Sequence, residues 1–149
     1  MQIRNDRWKY LYLDFSKAFD RVPKGRLLHK LDHLGLRGNL HRWIDSFLSD
    51  RTFRVKIGDA VSRSIDVLSG VPQGSVLGPL IFFTYTFDIK NITSFFAIFA
   101  GDIKLYNSCD NFSSLSSGLR SIYKWSQVWL LPIILDECVN LHLDKGNPT

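Results

Sequence analysis

Cysteine is nearly absent. Cys109 and Cys138 are too few for a disulfide framework and fit no close-spaced metal pattern, so reduced structural thiols in an intracellular protein, nuclear or cytoplasmic, are the expectation. Long hydrophobic runs are missing as well: the greasiest stretches are broken by polar residues or by Pro132 well short of a membrane span. The opening "MQIRNDRWKY" lacks the apolar region of a signal peptide, so nothing argues for secretion or a membrane. Histidine is sparse and scattered, at His29, His33, His41 and His142; His29 and His33 stand at i, i+4 without a third ligand and read as a helix surface rather than a zinc site. Bases are sparse in the rear and crowd the front. Of 19 Lys and Arg, 14 fall in residues 1–63 beside 7 Asp and Glu, so that part carries +7 and the remainder −2 of the net +5. Such a basic front suits a solvated surface or a face that meets phosphates.

What is present suits a packed globule: 45% hydrophobic and 13% aromatic residues in a chain of 149, with no internal repeat, linker or low-complexity tract. "RWKYLYLDF" alternates and predicts a strand that delivers Asp14 near its end. Leu27, Leu28, Leu31 and Leu34 form one apolar stripe of a helix stopped at Gly35, and Leu40, Trp43, Ile44, Phe47 and Leu48 form that of a second. "TFRVKIG" and "AVSRSIDV" alternate on either side of Gly58-Asp59, predicting a β-hairpin with Arg54, Lys56 and Arg63 at its polar positions. "SVLGPLIFFTYTFDI" reads as a buried helix with Pro79 in its first turn, where amides need no partner. A hairpin turning at "FAGD" follows, then a helix through Leu115, Leu119, Ile122 and Trp125 or Val128, then a last strand in "VNLHLD". The order β, α, α, hairpin, loop, α, hairpin, α, β predicts an α+β fold, helices on one face of a mainly antiparallel sheet. Trp43, Trp125 and Trp129 fall on helical stripes and are expected in the core.

Two segments carry residues suited to chemistry. Asp14 at a strand end, with the large apolar Phe19 five residues on, is either a turn residue or a metal ligand beside a wall that tests substrate shape. In "SGVPQGSVLGP", Gly70, Gly74 and Gly78 are spaced by four and Gln73 offers an amide that donates and accepts. That segment is either a strand-to-helix loop capped by Ser75 or a loop that lets backbone approach a ligand.

Taken together, "LYLDFSKAFDRVP", "SGVPQGSVLGPL", "FAGDIKLY" and "WSQVWLLPIILDECVNLHLDKGNP" resemble, in order and approximate spacing, the palm motifs of reverse transcriptases, most of all those of non-LTR, LINE-type, jockey-like retrotransposons. The resemblance implies a palm-like α+β domain over residues 1–149, with fingers largely missing and thumb absent. It implies RNA-directed DNA synthesis on an RNA template from a DNA primer and dNTPs, in which carboxylates hold two Mg²⁺ ions that activate the primer 3′-OH and neutralise the triphosphate. On that resemblance Asp14 and Asp102 are the metal ligands and catalytic carboxylates. Phe19 is the gate against a ribose 2′-OH, and Gln73 with Gly74 lies against nucleotide and template.

Two departures stand out. The turn that normally reads aromatic-Ala-Asp-Asp has Gly101 in place of its first Asp, and "LDECV" has Glu137 where a lysine usually precedes the cysteine. The expectation is an impaired enzyme, with Gly101→Asp restoring metal binding. The alternatives are a non-catalytic nucleic-acid-binding remnant that uses the basic front, or an inert copy. Nothing in the sequence fixes an oligomeric state.

Overall fold

A computed structural model gives the fold and describes residues 8–93, 96–99, 101–108 and 112–143. In chain order the elements are β1 (Trp8–Asp14), α1 (Lys24–His33), α2 (Gly38–Leu48), β2 (Thr52–Phe53), β3 (Lys56–Ile57), β4 (Ala60–Val61), β5 (Ile65–Asp66), α3 (Leu77–Thr86), β6 (Phe96–Phe99), β7 (Asp102–Ser108), α4 (Phe112–Val128) and β8 (Val139–Leu143). Two 3₁₀ turns, Phe87–Asn91 and Leu135–Glu137, join them. This is the α+β order expected from the sequence. Cys109, the residues before Trp8 and the His142 side chain lie outside what is described. The chain divides into two compact units, Met1–Ala18 with Thr86–Thr149, and Phe19–Tyr85.

The first unit is built on a four-stranded sheet in the order β6-β7-β1-β8, antiparallel throughout. Strand alternation sends Leu13, Ile103 and Leu105 to one face, where each is buried. Helix α4 closes that face with Leu115, Ile122 and Trp125. Burying each such side chain stabilises the fold by about 1.5–3 kcal/mol. Trp125 completes the stripe of α4, its ring 5.9 Å from that of Phe15, while Val128 remains exposed. Buried Asn107 donates to the Ser114 hydroxyl at 3.1 Å, and the Trp125 indole donates to Asp88 at 3.1 Å, so polar groups in the seam are satisfied. The opposite face carries Tyr10, Tyr12, Lys104 and Tyr106, all half-buried, with Asp14 and Asp102 at its end.

In the second unit α1 buries Leu27 and Leu31, and Leu34 falls past the helix end into solvent. Helix α2 departs from expectation. Only Ile44 and Leu48 are buried, while Leu40 and Trp43 keep 52% and 50% of their surface and Trp43 stacks on Phe47 with centroids 5.6 Å apart. The five-residue apolar arc is wider than the seam α2 shares with α1, so only its Ile44–Leu48 edge is covered. Trp43 is therefore not a core residue.

The hairpin also differs. β2 pairs with β5 and β3 with β4, but two residues on the outgoing strand (54–55) face three on the return (62–64), a β-bulge bridged by the Val55 amide to the Ser62 hydroxyl at 2.9 Å. One extra residue switches the face of every side chain beyond it. Phe53, Val55, Ile57, Val61 and Ile65 are exposed together with Arg54, Lys56 and Arg63, so the hairpin does not bury an apolar face. Helix α3 buries Ile81, Phe82 and Tyr85 but exposes Leu80 and Phe83, so it is covered on one side rather than all round.

Candidate active site

Strand β1 ends at Asp14 and β7 begins at Asp102, and the antiparallel register sets the two directly opposite each other. The pairing runs one step further, where the Phe15 amide donates to the Gly101 carbonyl at 3.2 Å. On the other side of β1, residues 132–137 are laid along the strand end. The Ser16 amide donates to the Pro132 carbonyl at 2.8 Å, Phe15 bridges Ile133, and the Ile134 amide donates to the Asp14 carbonyl at 2.9 Å. That anchoring brings the Leu135–Glu137 turn, and with it the Glu137 carboxyl, beside Asp14. Tyr12, Leu13, Asp14, Asp102, Glu137 and Val139 line one open cleft of about 380 Å³.

The cleft holds three acids side by side. Partial burial, then a hydrogen bond with Glu137 and its charge, push the Asp14 carboxyl above its usual value, while a hydrogen bond with Asp102 acts the other way. Asp102 is raised by partial burial and then by the charge of Asp14 and their shared hydrogen bond. Next to them the Cys138 thiol is raised, first by burial and then by Asp136 and Asp14; it donates to the Ile134 carbonyl at 3.3 Å, a structural thiol kept protonated. On the open face Lys104 is held above the usual lysine range, chiefly by its hydrogen bond with Tyr12, and lies 4.6 Å from the Tyr10 ring centroid.

Raised carboxyls have a definite thermodynamic sign. The folded state binds these protons more tightly than the unfolded chain, so their contribution is most favourable at low pH and declines as pH rises from about the ordinary 3.8 through the raised folded values. In metal-free buffer Asp102→Asn is therefore expected to gain stability on the wild type as pH is raised through that window. The gain stays below about 1 kcal/mol because solvent screens the pair. Chemical denaturation at pH 3 and pH 8 checks it; an equal difference at both values would remove the repulsion from the account.

Gly101 is half-buried beside the pair. A Cβ there would lie 3.5 Å from Asp14 Oδ1 but only 2.9 Å from the Ala18 Cβ. The expectation that Gly101→Asp restores metal binding thus meets a steric obstacle: the position aims at Asp14, yet the added Cβ would crowd the buried Ala18 methyl, so something there must shift. Glu137 also acts on Asp14, whose carboxyl it helps to raise, an effect beyond the opposition to phosphate expected of it.

Phe19, Gln73 and Gly74 belong to the second unit. The Phe19 ring stacks on Phe82 with centroids 4.6 Å apart and 22° between planes. Gln73 and Gly74 are the central residues of a tight turn closed by the Ser75 amide on the Pro72 carbonyl, and Gly74, at φ +76°, supplies the positive φ that turn needs. The Ser75 hydroxyl donates to the Pro72 carbonyl and accepts from the Gly78 amide at 2.9 Å, capping α3 as expected. The Gln73 amide donates to Asp20 Oδ1 at 2.7 Å, a partner that sequence reasoning passed over although Asp20 directly follows Phe19.

Hard oxygen donors from two strand ends suit a hard divalent cation, and Mg²⁺ is commonly held by one or two carboxylates with water and substrate phosphate completing its shell. Among the described residues no cage of three or more His, Cys, Asp or Glu is formed. Nor, among them, is any helix long and apolar enough to cross a membrane.

Residues 1–142 match the sequence profile of the reverse transcriptase (RNA-dependent DNA polymerase) family. The chain is 30% identical over 143 residues to the RNA-directed DNA polymerase from mobile element jockey of Drosophila melanogaster, and 29% identical over 143 residues to the probable RNA-directed DNA polymerase from transposon BS of the same fly. Each match covers 87% of this chain and 16% of the relative, so the chain spans about a sixth of their length. Among solved structures, apo telomerase from Candida tropicalis, truncated from its C-terminal domain, superposes with a TM-score of 0.71 at 13% identity over 96% of this chain and 32% of that one. Telomerase from the same organism in complex with a fragment of telomeric RNA superposes at 0.69 with 12% identity, over 95% and 27%. At such identities these two likenesses concern the fold.

Proposed function

The chain belongs to the reverse transcriptase (RNA-dependent DNA polymerase) family, as a stretch related to the polymerases of non-LTR retrotransposons, and from that premise we propose that it is a palm fragment with a weakened catalytic site. The observation that supports this reading most is the register of Asp14 against Asp102 at the end of an open sheet face. The family generally uses a divalent metal. Here Asp14 and Asp102 would hold Mg²⁺, which when bound would acidify a primer 3′-OH and neutralise triphosphate charge.

The chain's own residues supply the rest. Tyr10, Tyr12, Tyr106 and Lys104 offer rings and a cation on the face that leads to the carboxylates, surfaces on which a nucleic-acid strand can lie. Phe19, backed by Phe82, would exclude a ribose 2′-OH, and Gln73 with Gly74 would border the nucleotide. Gly101 withholds the third carboxylate. Burial first, and then the hydrogen bond with Glu137 and its charge, raise the Asp14 carboxyl and so favour a proton there over a metal ion. RNA template, DNA primer and dNTP are the partners this role requires.

The test is a titration of the purified chain with Mg²⁺ and Mn²⁺. Weak binding that disappears in Asp14→Asn and in Asp102→Asn is expected, with no primer extension by the chain alone. Binding untouched by either substitution, or extension that survives Asp14→Asn, would defeat the reading.

The exposed hairpin favours a second, non-catalytic role beside it. Arg54, Lys56 and Arg63 stand in solvent in the basic part of the chain. RNA binding is expected to be weak, indifferent to sequence and to fall as salt rises. Arg54→Glu with Lys56→Glu should cut affinity several-fold and flatten the salt slope by about two phosphate contacts. A slope unchanged by the double substitution would take this role away from the hairpin.

A further inference from the structure

In the second unit the loop 69–73 and the turn 19–22 are fastened together at the backbone. The Gly70 amide donates to the Val22 carbonyl at 2.8 Å, the Val71 amide to the Phe19 carbonyl at 2.7 Å, and the Ser69 hydroxyl to the Asp20 carbonyl at 2.7 Å. Gly70, at φ +83°, lies so close that a Cβ would sit 2.6 Å from the Asp20 Cα, so no other residue fits. From the far side the Arg51 guanidinium donates to the Ser69 and Gly70 carbonyls at 3.1 and 2.6 Å and to the Leu48 carbonyl at 3.1 Å. Pro72 and the tight turn then set the backbone of Gln73. What remains undetermined is the rotation of its exposed side-chain amide, whose two ends are nearly isosteric and chemically opposite.

Asp20 removes that ambiguity. Its carboxylate accepts and cannot donate, so the end of the Gln73 amide that meets Asp20 Oδ1 at 2.7 Å is the NH₂ group. The amide oxygen and the second N–H are left for another partner. We propose that Asp20 is a positioning residue that holds the Gln73 amide in one orientation, so that Gln73 Oε1 is presented to a hydrogen-bond donor on a bound nucleotide. This rests on the reading of Gln73 as a nucleotide contact. It goes beyond that reading by naming the residue that sets the polarity of the contact, and it accounts for an acid next to Phe19 in an otherwise basic stretch.

The measurement uses the whole 149-residue chain, ¹⁵N-labelled, with dATP and Mg²⁺ as the probe. In the wild type the two Gln73 Nε2 protons should resonate further apart than those of a free glutamine amide, one of them bonded to Asp20. Asp20→Ala should return that separation to the free-amide value and weaken dATP binding about fivefold, roughly one neutral hydrogen bond. Asp20→Asn, which keeps an acceptor oxygen, should stay within about twofold of the wild type. Gln73→Ala should weaken binding by a similar factor, and the double variant should be no weaker than Gln73→Ala, since Asp20 acts only through that amide. Additive losses, or Gln73 signals indifferent to Asp20→Ala, would overturn the positioning role while leaving the nucleotide reading intact. If Gln73→Ala itself leaves dATP binding unchanged, the nucleotide reading fails and takes with it the use assigned to Asp20, whatever the amide signals show. Thermal unfolding of Asp20→Ala close to wild type, expected for an exposed side chain, keeps these outcomes separate from misfolding.

Discussion

Gly101→Asp is expected to leave the affinity of this chain for Mg²⁺ almost unchanged when made alone, and to raise it about tenfold or more when Ala18→Gly is made with it. The new Cβ points the right way, 3.5 Å from Asp14 Oδ1, and Gly101 is not among the glycines at positive φ, so its backbone accepts an L residue. The obstacle is contact. At 2.9 Å from the Ala18 Cβ the added atom meets a methyl group that has no rotamer to escape into, in a turn tied down by the Ser16 amide on the Pro132 carbonyl. Relief must come from backbone movement, which would also displace Asp14. Ala18→Gly clears the space at a cost of roughly 0.5–1 kcal/mol in chain entropy. A third carboxylate then adds at least about 1.4 kcal/mol of metal affinity, the tenfold step. Isothermal titration of the two single variants and the double variant decides it. A single Gly101→Asp variant that binds as tightly as the double would show that the Ala18 contact does not matter, and no gain in the double would mean that position 101 is not a ligand position.

The second large effect belongs in an intact jockey-like relative. Asp→Gly at the position matching Gly101 is expected to cost about 10³-fold or more in primer extension, on the basis of ~4 kcal/mol for a direct ligand. Lys→Glu at the position matching Glu137 removes a proton donor, an effect of about 10²–10⁴-fold, and is expected to be the smaller lesion. The structure adds a way to tell them apart. A glutamate there sits against the carboxyl that matches Asp14 and adds to the upward shift that burial begins, as Glu137 does here. Part of the loss in the Lys→Glu enzyme should therefore be recovered as pH rises, whereas the Asp→Gly enzyme, which lacks the ligand altogether, should stay flat. Parallel pH–rate profiles for the two would refute the assigned role of Glu137.

Local pattern carried far in this chain. Strict alternation in "WKYLYLD" was enough to place β1 and to put Asp14 at its end, because a strand with one buried face has only one register that hides Leu13. The spacing of Leu27 and Leu31, the cap at Ser75 and the first-turn Pro79 likewise express rules that act within a few residues. The order of the four motifs was sufficient to identify the family. None of this depends on what each element packs against.

The remainder did depend on it. Trp43 and Leu40 lie on a helical stripe as good as any other, but burial needs a neighbour wide enough to cover the arc, and α2 meets one only along Ile44 and Leu48. The bulge between Phe53 and Ile65 is a mismatch in count across two strands, invisible in the alternation of either. Gly101 read as a simple loss until the Ala18 methyl was found in the space a side chain would need. Glu137 is 123 residues from Asp14 and Asp20 is 53 from Gln73 in sequence, and both pairs are made by backbone pairing between segments that carry no sign of each other. Residue types and their short-range spacing thus determined the elements, the family and the identity of the acids at the strand ends. Which acids touch, which glycine is crowded and which aromatic is left in solvent were decided by tertiary structure, since each is a distance between atoms whose separation along the chain sets no limit on how closely they pack.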